Sequence, residues 1–370
     1  MPKEKINGKS NCATMKIAVA LLAMLFFVIA GPGLIGKDLN QAYGGQRGPD
    51  RNREVKGPQA CSWTAAATFR ACLNEIEDDY WIANGNCANL SEAEDRAECF
   101  ADSKSEYQEA KEQCKDQKEA RLELCEELGE APYDPQINPA DFVDFEEILD
   151  NGAFTPNPYF PLVPGTVRKY RVTDGDGAVI ERIKVEVLNE TKQIQGVNCI
   201  VVRDRVWEIE ENEAGERERS LIEDTFDWYA QDKAGNVWYF GEIARNYEDG
   251  ELVDVEGSWK AGRDFAKPGI LMPADPEPGD LYRQEFALGD AEDMGEVIDY
   301  LDPFPVGGEI YGEPPEKKFL QTKDFTPIEP SFFEYKYYAP GVGVVLEEAY
   351  EDGEATGERV ELVEVTMETP

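Results

Sequence analysis

No histidine occurs among the 370 residues. That absence excludes Ser-His-Asp and Cys-His catalysis, histidine-ligated metals and c-type haem attachment, and with the last any multihaem redox role. No two cysteines lie as close as Cys-x-x-Cys, the spacing that zinc sites favour. A nucleophile elbow, a P-loop and a dinucleotide fingerprint are also missing. Positive charge is scarce: 37 Lys and Arg stand against 76 Asp and Glu, a net charge of −39. Such a surface repels nucleic acid and anionic lipid, so neither is expected as a partner.

Cysteine, by contrast, is informative. Cys61, Cys72, Cys87, Cys99, Cys114 and Cys125 are separated by 11, 15, 12, 15 and 11 residues, a numerical palindrome. Eleven residues are about three helical turns and 15 a little over four, so successive cysteines stay near one helix face. Two antiparallel helices with facing cysteines then form a ladder, expected in the nested order Cys61–Cys125, Cys72–Cys114, Cys87–Cys99. A shifted register, Cys61 with Cys114 and Cys72 with Cys99, strands Cys87 and Cys125 at opposite ends. Asn84-Gly85-Asn86 reads as a helix break, and Ser91 with Glu94 reads as a capping box opening the second helix. Both place Cys87 in the loop, with the inner rung clipping extended chain. Such a ladder persists only in an oxidising compartment.

The N-terminus agrees with export. Lys3, Lys5, Lys9 and Lys16 precede an uncharged run from Ile17 to Gly36, and Val28-Ile29-Ala30 fits a cleavage site. Residues 1–36 are therefore expected to be a signal peptide, starting at Met1 or at Met15 and carrying Cys12 away with it. An uncleaved segment is the one route to a membrane, although Gly31-Pro32-Gly33 breaks it. Residues 37–59 read as a flexible polar linker and 60–128 as the helical hairpin, stopped by Gly129. Residues 129–156 form a proline-containing connector with one amphipathic stretch, Pro139 to Leu149. From 157 to 370 β-branched alternation and acidic-Gly turns describe consecutive hairpins. The expected class is α+β: a disulfide-stapled antiparallel α-helical hairpin, then an antiparallel β-meander of roughly ten strands closing into a barrel, half-barrel or sandwich.

Aromatic residues concentrate in two places. Phe226 and Trp228 share one strand face, and Trp238 and Phe240 share another across the turn Lys233-Ala234-Gly235-Asn236. Phe333, Tyr335 and Tyr337 alternate against Phe332, Glu334, Lys336 and Tyr338; both faces of this strand are expected to be covered, one of them by the hairpin or by the 139–149 segment. Core packing accounts for such clusters; as a ligand site they make Phe226, Trp228, Trp238, Phe240, Tyr335 and Tyr337 the candidate lining. Asp174-Gly175-Asp176-Gly177 lacks the closing ligands of a calcium loop and reads as a type I′ turn. Asp290, Glu292 and Asp293, with Asp299 and Asp302 nearby, have the chemistry for calcium, the one metal left open; no other cofactor is expected. Cys199, in an apolar run, reads as a buried free thiol.

The β-region resembles a group of uncharacterised secreted bacterial proteins. The resemblance rests on Asn157-Pro158-Tyr159-Phe160-Pro161-Leu162 with Pro164-Gly165-Thr166, on Val201-Val202-Arg203-Asp204-Arg205-Val206, on Trp228 to Asp232 with Asn236 to Gly241, and on Lys267-Pro268-Gly269-Ile270 with Met272-Pro273-Ala274. Its opening is also similar, in architecture only, to extracytoplasmic half-barrels that carry lipids or lipoproteins. Neither likeness includes the cysteine hairpin or brings an activity.

The expected function is non-enzymatic. A secreted, periplasmic or cell-surface protein would use its β-domain to bind an apolar small molecule or a protein partner surface, with the hairpin as stiff spacer or docking arm. Two alternatives stand beside it. A carboxylate-based hydrolase needs a cleft with two carboxyls about 5–10 Å apart. A subunit of a surface assembly pairs a hairpin face or sheet edge with another copy.

Overall fold

The computed structural model describes residues 59–144, 148, 154–211, 217–311 and 318–367. The signal peptide, Cys12 and nearly all of the linker lie outside the described residues, as does most of the stretch from 145 to 149.

Two long helices come first, α1 (Ala60–Ala88) and α2 (Ala93–Leu128). Neither contains proline, and at about 1.5 Å per residue they span roughly 43 and 54 Å. Glu94 and Asp95 sit in the first turn of α2, where the helix dipole favours anions. Gly129, at φ 84°, ends α2 with its N–H on the Cys125 carbonyl. Three disulfides link the helices in nested order, Cys61–Cys125, Cys72–Cys114 and Cys87–Cys99, with Cα atoms 5.6, 5.9 and 5.5 Å apart.

The turn between the helices differs from the sequence reading. Asn84-Gly85-Asn86 does not break α1, which runs on to Ala88. Cys87 is therefore helical and 1% exposed. A helical glycine costs about 0.5–1 kcal/mol, and the rung to Cys99 fixes this last turn against it. The Ser91–Glu94 box does not form either. The residue before α2 is Glu92, with no side-chain cap, and the Arg96 guanidinium instead donates to the carbonyls of Leu90 and Ser91, both at 2.8 Å.

Neither helix carries a broad apolar stripe, so little besides the ladder holds the hairpin together. Removing the middle rung with C72S/C114S closes off a constraint spanning 42 residues. The expected loss is about 2–4 kcal/mol of hairpin stability. Far-ultraviolet circular dichroism should show the helices melting earlier while the β-domain melts as before; an unchanged helical transition would show that packing suffices.

The β-domain contains fifteen strands among the described residues: β1 (Thr166–Thr173), β2 (Val179–Ile194), β3 (Val197–Glu211), β4 (Arg217–Gln231), β5 (Val237–Ile243), β6 (Asn246–Glu248), β7 (Glu251–Asp254), β8 (Lys267–Met272), β9 (Leu281–Arg283), β10 (Glu285–Phe286), β11 (Met294–Leu301), β12 (Phe319–Phe325), β13 (Phe332–Ala339), β14 (Gly343–Glu351) and β15 (Glu354–Met367). Four of them, β6, β7, β9 and β10, are two to four residues long and too short to show a period, which leaves eleven against the roughly ten expected. All pairs are antiparallel, in the order β10-β8-β5-β4-β3-β2-β1-β15-β14-β13-β12-β11-β9, with β6 and β7 on a side branch. Its two ends are one piece of chain. Leu281–Arg283 pairs with β11, and Glu285–Phe286 pairs with β8. The switch residue between them is Gln284, so the sheet nearly closes into a barrel. Gly269 allows this close approach, because a Cβ there would lie 2.4 Å from the Arg283 carbonyl oxygen.

The β1–β2 loop is longer than the type I′ turn read from the sequence. It spans Asp174 to Ala178, closed by Asp174 N–H on the Ala178 carbonyl, with Asp174 Oδ1 accepting from Asp176 and Ala178 N–H. Only Gly177 there has positive φ, whereas type I′ needs two consecutive residues.

Apolar packing fills one end of the barrel: Tyr170, Ile183, Val185, Val187, Val202 and Leu362 are all buried. Each aliphatic side chain so buried contributes about 1.5–3 kcal/mol. The segment Asn157 to Leu162 packs into the same interior. Asn157 accepts Tyr159 and Phe160 N–H and donates to the Gly235 and Pro273 carbonyls, while the Phe160 ring meets Tyr229 at 5.3 Å. Residues 139–144 hold a 3-10 turn, Pro139–Asp141, and then lay Phe142 on Trp238 and Phe240, so this segment covers β5 rather than the β13 cluster.

The hairpin is fastened to the barrel at its base. Arg121 grips Glu292 through Nε–Oε2 at 2.9 Å and Nη2–Oε1 at 2.8 Å, both side chains almost fully buried. Tyr133, just past α2, stacks edge-on to Phe286 and donates to the Pro268 carbonyl.

Candidate functional site

Alternation along β4 sends Glu223, Thr225, Asp227 and Tyr229 to one face and Asp224, Phe226 and Trp228 to the other. The first set faces the barrel interior, which is acidic. Tyr239 donates to Asp227 Oδ1 at 2.7 Å and its ring stacks on Tyr229 at 4.6 Å. Burial pushes the Asp227 carboxyl up to about 7. Beside it lies a cavity lined by Glu242, Glu285, Asp293, Asp324, Lys336 and the ring of Tyr239. Burial, then the neighbouring acids Asp293 and Glu242, raises Glu285 well above its ordinary value, and burial brings Asp293 up to about 7. Gln284, from the barrel seam, donates to Asp324 Oδ2 at 3.0 Å.

One cation serves this acid chamber. Lys336, 5% exposed, has Glu334, Asp324 and Glu347 oxygens at 3.4, 3.5 and 3.9 Å. Burial raises the Glu347 carboxyl to about 8 and the Glu334 carboxyl above its ordinary range. One ammonium stands among these buried acids, and burial favours protons on Glu334 and Glu347. Further round the sheet, burial raises Glu181 and Glu223 to about 8 and Asp204 well above its ordinary value.

The chamber has room for little besides water. Its volume is about 20 Å³, space for one or two waters. A second, apolar cavity beside Leu162, Tyr170 and Val202 measures about 10 Å³. Neither admits a sugar ring or an apolar ligand.

The six aromatic candidates are not gathered at one place. Phe226 is clasped by Arg203 and Arg245 at 5.1 and 5.0 Å, on the face opposite the acids. Trp228, on the same face, lies under Lys192 at 5.4 Å. Trp238 donates to Asp232 Oδ2 and, with Phe240, packs on Phe142. Tyr335 packs against Phe333 and Tyr350, and Tyr337 donates to Glu348 Oε2 at 3.0 Å and meets Phe304. None lines either cavity. The loop acids also diverge. Glu292 holds Arg121, Asp293 lines the chamber, and Asp299 accepts from Tyr300 N–H. Among the described residues no group of three or more His, Cys, Asp or Glu is placed to hold a metal ion.

At the free end of the hairpin the sequence reading named turn, cap and disulfide residues but no binding candidate. Between Ile76 and Gln113 the two helices bury only Cys87 and Ser103. There Trp81 is 64% exposed and Ile82 62%, with Leu90 and Phe100 also exposed. Tyr80 is wedged between Trp81 at 5.6 Å and Tyr107 at 4.9 Å, which fixes the aromatic end. Around it stand Glu77, Asp78, Asp79, Glu92, Glu94, Asp95, Glu98 and Asp102, and the one basic residue from 77 to 102, Arg96, is occupied by loop carbonyls. Trp81 keeps most of its ring in water beyond its edge contact with Tyr80, and Ile82 is as exposed, more apolar surface than the hairpin's own packing uses.

No protein-family model matches the chain, and no curated protein matches it. Among solved structures it is similar to a protein of Bacteroides fragilis described as exported and of YmcC-like fold, at 14% identity and a TM-score of 0.34, over 57% of this chain and 99% of that one. It is also similar to a protein of Parabacteroides distasonis described as a lipoprotein, at 13% identity and a TM-score of 0.24, over 58% of this chain and all of the other. Likenesses of this size assign no activity.

Proposed function

We propose that the chain is an exported, non-enzymatic binding protein in which a disulfide-braced arm, fixed at its base to a β-barrel platform, presents its acidic aromatic end to a protein partner. The observation that carries this reading is the exposure of Trp81, Ile82, Leu90 and Phe100 on a segment that supports nothing else in the fold. Three disulfides support the oxidising compartment. The small, closed interior favours a partner surface over an apolar small molecule. It also disfavours the hydrolase, whose carboxyl pair would need to reach a substrate. Localisation follows the disulfides and the signal-like N-terminus: secreted, periplasmic or on the cell surface.

The test is a photo-crosslinking residue at position 81 in the native host. A discrete adduct is expected; excess wild-type chain should compete it away, and the probe-free triple variant W81S/I82S/F100S should not. That triple variant should stay folded and cost no more than about 1 kcal/mol, because Trp81 and Ile82 are mostly in water and Phe100 is only partly covered. An arm that yields no adduct, or a triple variant that unfolds, would remove the basis for the reading.

A further inference from the structure

The sheet face opposite the acid chamber is basic, against the charge of the whole chain. Register places Lys169, Lys184 and Arg205 directly opposite one another across β1, β2 and β3, and Arg171, Arg182 and Trp207 beside them. Like charges opposite one another cost a sheet stability. Glu186 offsets part of this by pairing with Lys184 at 2.7 Å and with Arg205, while Glu364 pairs with Lys169 at 2.6 Å and Glu361 with Arg171 at 2.5 Å. Arg182 and Arg219 have no carboxylate partner among the described residues. Arg219 lies over the Trp207 ring at 3.7 Å, and Arg205 lies 5.3 Å from the same ring. Burial together with Arg171 and Arg217 lowers the Arg182 guanidinium from its ordinary value, as burial with Arg205 and Arg182 does for Arg219. A crowded cationic face with aromatic side chains set into it suits an anionic surface that also brings apolar groups.

The same chain carries such a surface. The free end of the hairpin has eight carboxylates from Glu77 to Asp102 around Trp81, Ile82 and Phe100. We infer that the basic face of β1 to β4 receives the acidic aromatic arm end of a second copy of this chain. The inference rests on the arm reading above and names the arm's partner. Charge complementarity decides for this occupant. The contact joins two different surfaces, so copies close into a pair by exchanging arms or extend into an open chain. At about 0.15 M salt the Debye length is near 8 Å, which damps repulsion between the distant charges of two acidic molecules and spares charges in contact.

The experiment uses the purified full chain with the photo-crosslinking residue at position 81, at about 0.15 M salt, read by mass and by peptide mapping. The expected result is an adduct of twice the chain mass, mapped to the strands carrying Arg182, Arg205 or Arg219. R182E/R219E should lower its yield at least tenfold, and the milder R182Q/R219Q should do so in part, each with the wild-type melting temperature as the check on folding. Adding D78K/D79K to R182E/R219E should restore the adduct. Purely monomeric protein up to high concentration, or an adduct mapped to any other surface, overturns the inference. If the arm instead crosslinks only to a different protein in the host, the inference falls and the arm reading survives. If it crosslinks to nothing, both fall. Retention of an acidic polysaccharide by the basic face, without a homo-adduct, also overturns it.

Discussion

Lys336→Met is expected to lower the stability of the β-domain by about 3–5 kcal/mol at pH 7, the cost of leaving buried charge without its counter-ion. Lys336 is the one ammonium among Asp324, Glu334 and Glu347, all within 4 Å and all almost completely removed from water. The methionine side chain fills most of the lysine stem, so a cavity contributes little and the loss is electrostatic. Two companion measurements separate this from a packing defect. The loss should shrink at pH 4–5, where less negative charge is left buried without its counter-ion. Adding E334Q to K336M should recover part of the stability at pH 7 by reducing the buried acid. Denaturant midpoints at both pH values read the effect, and a loss equal at pH 4.5 and pH 7 would mean that shape, not charge, was removed.

The wild-type protein should lose stability as pH rises from about 4 to about 8, opposite to ordinary acid denaturation. Glu181 and Glu223 have folded-state values near 8, against about 4.3 in an unfolded chain, and burial is the first cause of both. A raised folded value means that the native state holds protons the unfolded chain has released. The associated stability is complete below pH 4 and is lost as pH climbs through the folded value. For Glu223, fully enclosed, the linkage amounts to about 4 kcal/mol between pH 4 and pH 8. Asp227 and Asp293, near 7, add in the same direction. Glu186 and Asp134, lowered by their lysine and arginine partners, work the other way, but only as pH falls from the ordinary carboxyl value toward their own lowered ones. Calorimetry should find the β-domain melting at least about 10 °C higher at pH 5 than at pH 8. E223Q should flatten that slope and raise the melting temperature at pH 8. A melting temperature that stays level or climbs between pH 5 and pH 8 would contradict the neutral, buried acids.

How far these features can be read from residues alone varies along the chain. The ladder is legible because cysteine spacing and helical period are both fixed quantities, and only near-whole numbers of turns keep one face aligned. The end of α1 is not, because a covalent rung decides it over the breaking tendency of Asn84-Gly85-Asn86. The β-class follows from alternation, but β9 and β10 do not, since two or three residues carry no period. The acid chamber is hidden for a different reason. Along Glu223 to Trp228 acids alternate with bulky apolar groups, and the usual reading turns the acids to water. Here both faces are covered, the second by arginine and lysine side chains and by Phe142, so period alone does not say which face is inside. The arm end was equally hard to read. Trp81 and Phe100 lie in a segment whose other residues are those of any solvated helix, and only their exposure in the folded hairpin separates them from seam residues.

The pairing of β1 with β15 sets the order of events in folding. Tyr170 lies opposite Leu362, so the ring joins residues nearly two hundred positions apart and cannot be completed until the last strand exists. Contacts that distant make closure slow, and until it happens the edges of β1 and β14 stand unpaired. The arm is local by comparison, since its rungs span 12 to 64 residues. It can be finished and oxidised while the platform that will carry it is still an open sheet.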